Sequence, residues 1–536
     1  MESNTLRCAD VLVKVLEKFG VKFIFGHPGE QVLPLYDALK ESGIRHVLMR
    51  HEQGAAHAAD GFARASSNTG VCIATGGPGA LNLVMGVATA YKDSVPLLVI
   101  TGDVPLKLKG KNGFQDIDIN GVFQPITIES FEIQSPEEGI LALVNTFNIL
   151  EQKRKGPIHL NFPKDVLESL VEDSLIDSVF ETQQHKKSID SQIVAQAIEL
   201  IENSKKPLII AGSGVLWAHA SNKLLKFAEL HQIPVTSTYH ARGVLPEDHD
   251  LSAGMIGLRG TKAANYAGKN ADLILALGCR LSERTCAGIG DAKLIHVNLD
   301  ERVLEGDLKI QGDVSQFLDG INYVHASNTN KWLLNIFENP KTYAVKTNFN
   351  TVPIKPQRAI KEIFDASKDA LIVSDAGTHT TWVTLLKNVE TPSSLLFSGG
   401  FGPMGYGVPG AIGASLANPG KPVVAVIGDG DFQMTLQELA TIHEMQLPIV
   451  ICIINNSSLR IIKQWQEMYY GNSYQVELEN PDFKKLAESY HINSVGVNSP
   501  GEVMIAVGKA LKTAKPYLID IEVDQTEGIP LPEVLE

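Results

Sequence analysis

Asp429 and Asn456 set a carboxylate and a carboxamide 27 positions apart. Asp429 stands in Gly428-Asp429-Gly430-Asp431-Phe432, directly after the apolar run 423–427, and Asn456 follows the apolar run 449–454. Runs of this kind read as strands buried on both faces. The segment between them reads as helix, so the stretch predicts one βαβ unit. Both oxygen ligands then lie at the carboxyl ends of neighbouring parallel strands, where open α/β sheets bind ligands. A carboxylate with an amide oxygen suits Mg²⁺, which keeps an octahedral oxygen shell and shares it with a phosphate. Gly-Asp-Gly alone would also fit an ordinary strand-to-helix turn; the amide at this distance adds the second ligand.

Glu52 is the other reactive candidate. It follows the strand-like run Val47, Leu48, Met49 and opens a stretch rich in small residues: Gly54, Ala55, Ala58, Ala59 and Gly61. That composition predicts a tightly packed helix with a buried carboxylate at its start. The alternative is a surface or capping glutamate.

The elements that must hold these groups are read from the rest of the chain. It has 536 residues, enough for three domains. Hydrophobic content of 44% and charged content of 20% are those of a globular protein. The net charge of −14, with no basic run, argues against nucleic acid. Residues 1–20 read as an amphipathic helix stopped by Gly20, not as a secretory signal. No apolar run approaches the roughly 20 residues of a membrane helix. The five cysteines are scattered without a Cys-x-x-Cys pair, which predicts a reducing cytoplasm and no zinc site.

Three α/β blocks follow one another: 1–167, 192–324 and 357–536. Polar connectors separate them, 168–191 centred on residues 183–187, and the irregular 325–356. The predicted fold class is α/β, with three consecutive doubly wound parallel-sheet domains. No short-period repeat is visible.

The pattern of Gly428-Asp429-Gly430 with Asn455-Asn456 resembles the diphosphate-binding motif of thiamine-diphosphate enzymes. The resemblance covers nearly the whole chain and is nearest to the acetohydroxyacid (acetolactate) synthases. It rests on stretches: His27-Pro28-Gly29 with residues 33–39, Gly76-Gly77-Pro78-Gly79 with Asn82, and Phe114-Gln115-Asp116. Gly400-Phe401-Gly402-Pro403-Met404-Gly405 and Gln464-Trp465-Gln466-Glu467 add to it. It implies a pyrimidine-binding first domain, a Rossmann-like central domain and a diphosphate-binding third domain.

The resemblance also implies roles. Glu52 would hydrogen-bond the aminopyrimidine and promote loss of the C2 proton, the carbanion chemistry being the cofactor's own. Pro78 and Asn82 would lie beside that ring. Met404, if not plain core filler, would wedge under a V-shaped cofactor, with the Gly402 carbonyl on its amino group. Backbone donors at Gly377, Thr378, His379, Gly430 and Asp431 would carry the diphosphate. Ser458 would add a carbonyl to the Asp429–Asn456 metal shell. Gln115 would contact the reacting intermediate and Phe114 would line the pocket. Arg280 would hold the acceptor carboxylate, unless it serves a structural salt bridge. Trp465 would shape the acceptor pocket, unless it is core. Lys164 matches a family lysine and reads equally well as an exposed loop residue.

The family carries FAD without net redox use. The candidate flavin residues are Gly212, Gly214, Arg259, Gly260, Thr261 and Asp300. Arg259, Leu281-Ser282-Glu283, Arg460-Ile461 and Glu30-Gln31 depart from the family pattern. These departures touch the flavin site and the acceptor pocket.

The activity implied is decarboxylation of pyruvate and transfer of its two-carbon unit to a second 2-keto acid, pyruvate or 2-ketobutyrate, in branched-chain amino-acid biosynthesis. The alternative is another thiamine-diphosphate 2-keto acid decarboxylase or oxidase. The family builds each site between two chains, so a homodimer or homotetramer is expected, with a separate regulatory small subunit as a further partner.

Overall fold

The structure, a computed structural model, describes residues 5–172, 188–322 and 329–530. The centre of the first connector, 183–187, and the ends of the second and third predicted blocks lie outside these residues.

A short antiparallel pair, β1 (Thr5–Arg7) with β8 (Leu170–Glu172), ties the first unit's ends together. The first sheet holds β2 (Phe23–Gly26), β3 (Arg45–Leu48), β4 (Gly70–Ala74), β5 (Leu97–Asp103), β6 (Glu129–Glu132) and β7 (Pro157–Pro163). Their order is β3-β2-β4-β5-β7-β6, all parallel.

The central sheet holds β9 (Pro207–Ala211), β10 (Val235–Ser237), β11 (Ser252–Met255), β12 (Leu273–Leu277), β13 (Lys293–Asn298) and β14 (Leu308–Gln311). Its order, β11-β10-β9-β12-β13-β14, is that of a dinucleotide-binding sheet. The third holds β15 (Leu371–Ser374), β16 (Leu395–Leu396), β17 (Val423–Gly428), β18 (Ile449–Asn455), β19 (Asn493–Val497) and β20 (Tyr517–Glu522). Its order is β16-β15-β17-β18-β20-β19.

Counted within each sheet, the first and third share one strand order. Their equivalent helices, Glu52–Ser66 and Gly407–Ala417, each lie between the second and third strands of their sheet. These two helices pack on each other. A Cβ on Gly61 would strike the Gly410 backbone, and one on Gly413 would strike the Ala58 carbonyl. Of the small residues read in the sequence, Ala58 and Gly61 therefore lie on the contact face of an internal two-fold, while Gly54 meets Glu438 and Ala59 meets Gly70. One apolar core runs through both units, from Phe25 and Val99 to Ile412 and Ile451.

The structure corrects three boundaries. The first unit extends to Glu172 through β8, beyond the expected 167. The second connector is not wholly irregular, because it holds the helix Asn330–Phe337. Its Trp332 is buried against the central unit, with Nε1 donating to the Pro207 carbonyl at 3.0 Å. The N-terminal helix starts at Cys8, after β1. Among the described residues, no helix is long and apolar enough to cross a membrane.

Candidate active site

The site is built at the carboxyl ends of parallel strands. In the first unit, Glu52 is the first residue of its helix and is buried. His51 caps that helix, its Nδ1 accepting from Gln53 N at 3.1 Å. Asn82 Nδ2 donates to Glu52 Oε2 at 2.9 Å. Pro78 opens the next helix, Pro78–Asp93, after Gly77 at φ +54. A Cβ on Gly79 would lie 3.2 Å from Glu52 Oε1, and one on Gly77 would lie 2.7 Å from the Gln115 carbonyl. The Gly-Gly-Pro-Gly turn thus brings Glu52, Asn82 and Gln115 together. The Gln115 Oε1 is buried and has no hydrogen-bond partner. Phe114 beside it is 79% exposed.

In the third unit, β17 runs directly into the helix Asp429–Thr435, and β18 ends at Asn455. Asp429, Asn456 and Ser458 are all buried. Asn480 Nδ2 donates to Asp429 Oδ2 at 2.7 Å and reaches Asn455 Oδ1 at 3.0 Å. Ser458 N donates to Asn456 Oδ1 at 3.1 Å. Burial raises the Asp429 pKa, and the Asn480 amide and the backbone amides of Asn456 and Ser457 oppose the rise. Among the described residues, no group of three or more His, Cys, Asp or Glu is placed to hold a metal. One carboxylate, one amide oxygen and one backbone carbonyl form the hard oxygen set that could hold Mg²⁺.

Gly377, at φ +141, leads into the helix Thr378–Leu386 beside Asp429–Thr435. His379 Nε2 stands 3.7 Å from Asp431 Oδ2, both residues buried. This is the switch point of the third sheet, between β15 and β17. Burial lowers the His379 pKa to about 3, so the ring is neutral. Burial, with the Asp375 charge, raises Asp431 well above the carboxylate range. Asp431 Oδ1, His379 Nε2 and Ser458 Oγ are buried without hydrogen-bond partners. Three unsatisfied polar atoms at one strand-end crevice fit a polar ligand such as a diphosphate. A Cβ on Gly430 would lie 3.2 Å from Met404 Cε. Met404 is half-buried beside that turn rather than packed into the core. Gly402, at φ +70, is exposed.

Three residues of this region escaped the sequence reading. Asp375 accepts from Ala376 N, Gly405 N and Gly407 N at 2.9, 3.0 and 2.6 Å, and burial raises its pKa to about 6. Its position after an apolar strand, like that of Asp429, was the available signal. Glu438 and Asn480 carried none, since their partners are distant in sequence.

The substrate candidates divide. Trp465 stacks on Tyr469 in the helix Arg460–Tyr470 and is 38% exposed, so it is not core. Lys164 Nζ stands 3.7 Å from Glu30, whose neighbours Gly29 and Gln31 pack on Thr75, the residue before the Gly-Gly-Pro-Gly turn. Arg280 donates to the Lys92 carbonyl and lines a cleft with Gly214 and Asp300 at the switch point of the central sheet.

The flavin candidates split likewise. Gly214 and Asp300 line that cleft, and Gly212 adjoins it. Asp300, however, is already paired with Arg302 at 2.8 Å. A Cβ on Gly212 or Gly214 would meet the backbone of residues 278–279, so the glycines also serve close strand–helix packing. Arg259 reaches Thr381 Oγ1, Thr261 caps the helix Lys262–Asn270, and Gly260 packs on Asn265. The cleft fits the place where a dinucleotide binds. The other three residues already have partners within the fold.

Family models match the three units in turn. Residues 6–122 match the thiamine pyrophosphate enzyme N-terminal TPP binding domain, 194–321 the central domain and 375–521 the C-terminal TPP binding domain. The chain is 42% identical to a probable acetolactate synthase large subunit of Methanocaldococcus jannaschii, over 98% of this chain and 93% of the relative. It is 37% identical to the acetolactate synthase large subunit of Lactococcus lactis, over 97% and 93%. It is 33% identical to the acetolactate synthase isozyme 2 large subunit of Escherichia coli, over 97% and 96%. With family models on all three units and relatives of this identity along nearly the whole chain, the chain belongs to the acetolactate synthase family of thiamine pyrophosphate enzymes.

Proposed function

We propose that this chain forms 2-acetolactate, or 2-aceto-2-hydroxybutyrate, from pyruvate and a second 2-keto acid. The carrying observation is the presence of both buried half-sites, Glu52 with Asn82 and Asp429 with Asn480, in a chain matched end to end by acetolactate synthase large subunits.

Glu52 would hold a proton at the aminopyrimidine edge of thiamine diphosphate, oriented by Asn82. Asp429, Asn456 and the Ser458 carbonyl would hold Mg²⁺ against the diphosphate. Asp431 and neutral His379, whose buried Oδ1 and Nε2 have no partner, would face the phosphate oxygens, His379 donating through a ring N–H. Backbone at Gly377, Thr378 and Gly430 completes the cradle. Met404 and Gly402 would shape the bend of the cofactor. When bound, the cofactor supplies the nucleophile for the keto carbon and the electron sink for decarboxylation. Gln115 and Phe114 would face the reacting carbon and exclude water. Trp465 would border the acceptor and Lys164 would attract carboxylates from the approach, whereas Arg280 lines the central cleft and would face the FAD there.

Membership of the family supports sites shared between two copies in a homodimer or homotetramer. The words "large subunit" in the relatives' names support a small regulatory partner. FAD would occupy the central cleft, supported by its place at the switch point and by the family. Five free cysteines, four of them buried, suit a reducing cytoplasm.

Product analysis tests the proposal. Purified protein with pyruvate, thiamine diphosphate and Mg²⁺ should yield acetolactate, read as acetoin after acid treatment. Acetaldehyde alone would mean a decarboxylase, and peroxide with acetyl phosphate an oxidase.

A further inference from the structure

A cavity of about 230 Å³ lies between the central and third units, away from both half-sites. The linker residues Lys341, Tyr343 and Val345 form one wall. The end of the helix Thr378–Leu386, with Lys387, forms another.

Its charges do not cancel. Arg242 and Glu247 form a closed pair, with Nε to Oε1 at 2.6 Å and Nη2 to Oε2 at 2.8 Å. Arg242 also donates to the Thr384 and Lys387 carbonyls at 2.9 and 2.5 Å, which neutralises the negative end of that helix. Lys361 pairs with Asp365. Two cations remain. Lys341 Nζ donates to the Asp248 and His249 carbonyls at 3.0 and 2.9 Å. Lys387 Nζ lies 5.5 Å from the centre of the Phe364 ring. Neither makes an ion pair with a carboxylate among the described residues. Burial lowers the Lys387 pKa, partly offset by the charge of Glu390.

In a chain of net charge −14, two ammonium groups without a direct carboxylate partner make this cleft locally cationic, with Glu390 and the Arg242-paired Glu247 the acidic groups that act on Lys387. An anion there would gain charge-assisted hydrogen bonds at reduced dielectric. The remaining lining includes Met255, Val345 and Leu385, an apolar surface that inorganic anions would not use. At roughly 30 Å³ per water, the space suits a molecule of about seven heavy atoms.

We propose that this cavity binds a small carboxylate with a short aliphatic tail, its head between Lys341 and Lys387 and its tail on Met255, Val345 and Leu385. The site is independent of the carboligase reading.

Calorimetric titration of the full chain with sodium pentanoate at fixed ionic strength tests it. Saturable binding is expected, weakened about tenfold or more in both Lys387→Met and Lys341→Met and unchanged in the remote Lys515→Met. 1-Pentanol, with the same tail and no charge, should bind about tenfold more weakly or worse. Lys341 lies on the linker, so its variant keeps the test open if Lys387→Met does not fold. No saturable binding, or equal binding by wild type and either folded variant, overturns the site. Inorganic phosphate binding more tightly than pentanoate would reduce it to a charged patch and overturn the carboxylate assignment.

Discussion

Glu438 of the third unit holds the backbone of His51, the residue before Glu52, through Oε1 at 3.1 Å. Both its oxygens also accept from Arg50 N, at 3.1 and 3.0 Å. A fully buried carboxylate from one unit therefore fixes the start of the Glu52 helix in another. Burial raises its pKa from 4.5 to about 7, against the opposing backbone amides. The folded state thus keeps a proton that the unfolded state releases. The resulting stability is fully present below the unfolded value and is lost as pH rises through about 7, a change of roughly 3 kcal/mol. Glu438→Gln should remove this loss. Urea midpoints between pH 5 and 8 should fall less steeply with pH in the variant; parallel curves would contradict the assignment.

Asn480 bridges Asp429 and Asn455. Removing such an outer partner typically costs about 10–100-fold in metal affinity. Asn480→Ala should raise the Mg²⁺ concentration needed for half-maximal activity by that order, with little change in the unfolding midpoint. An unchanged Mg²⁺ requirement would show that Asp429 needs no such support.

Asn82→Ala leaves Glu52 Oε2 without its donor inside a buried site. An unpaired buried polar group costs about 1–3 kcal/mol. The expected result is a fall in kcat of about tenfold or more, with a smaller rise in the cofactor concentration required. A variant with normal kcat would leave Asn82 without an orienting role.

Gly413 meets the Ala58 carbonyl in the helix pair that joins the first and third units. Gly413→Ala should therefore destabilise the protein by roughly 1–3 kcal/mol, as overpacking does. Thermal unfolding measures it. A more stable variant would mean that the helices can part without cost.

Much of this site was legible before the structure. The buried runs at 423–427 and 449–454 match β17 and β18 to within a residue. Glu52 is the first helical residue after a strand, as its neighbours implied. What stayed hidden depends on residues remote in sequence. Glu438 meets Arg50 across 388 positions, and nothing around it marks that partner. Trp332 turned a connector into a packed helix because its burial is tertiary. The pairing of β1 with β8 joins two three-residue strands too short for a pattern. Arg280 and Asp300 each fitted a family role, but only geometry shows them in one cleft beside Arg302.

The most direct test mixes two inactive chains. Glu52→Ala and Asp429→Ala proteins, co-assembled and supplied with pyruvate, thiamine diphosphate and Mg²⁺, are assayed for acetolactate. The account predicts no product from either variant alone and partial recovery in the mixture, since some shared sites then combine an intact Glu52 half with an intact Asp429 half. Full acetolactate formation by the Glu52→Ala protein alone, or none from confirmed mixed dimers, would contradict it.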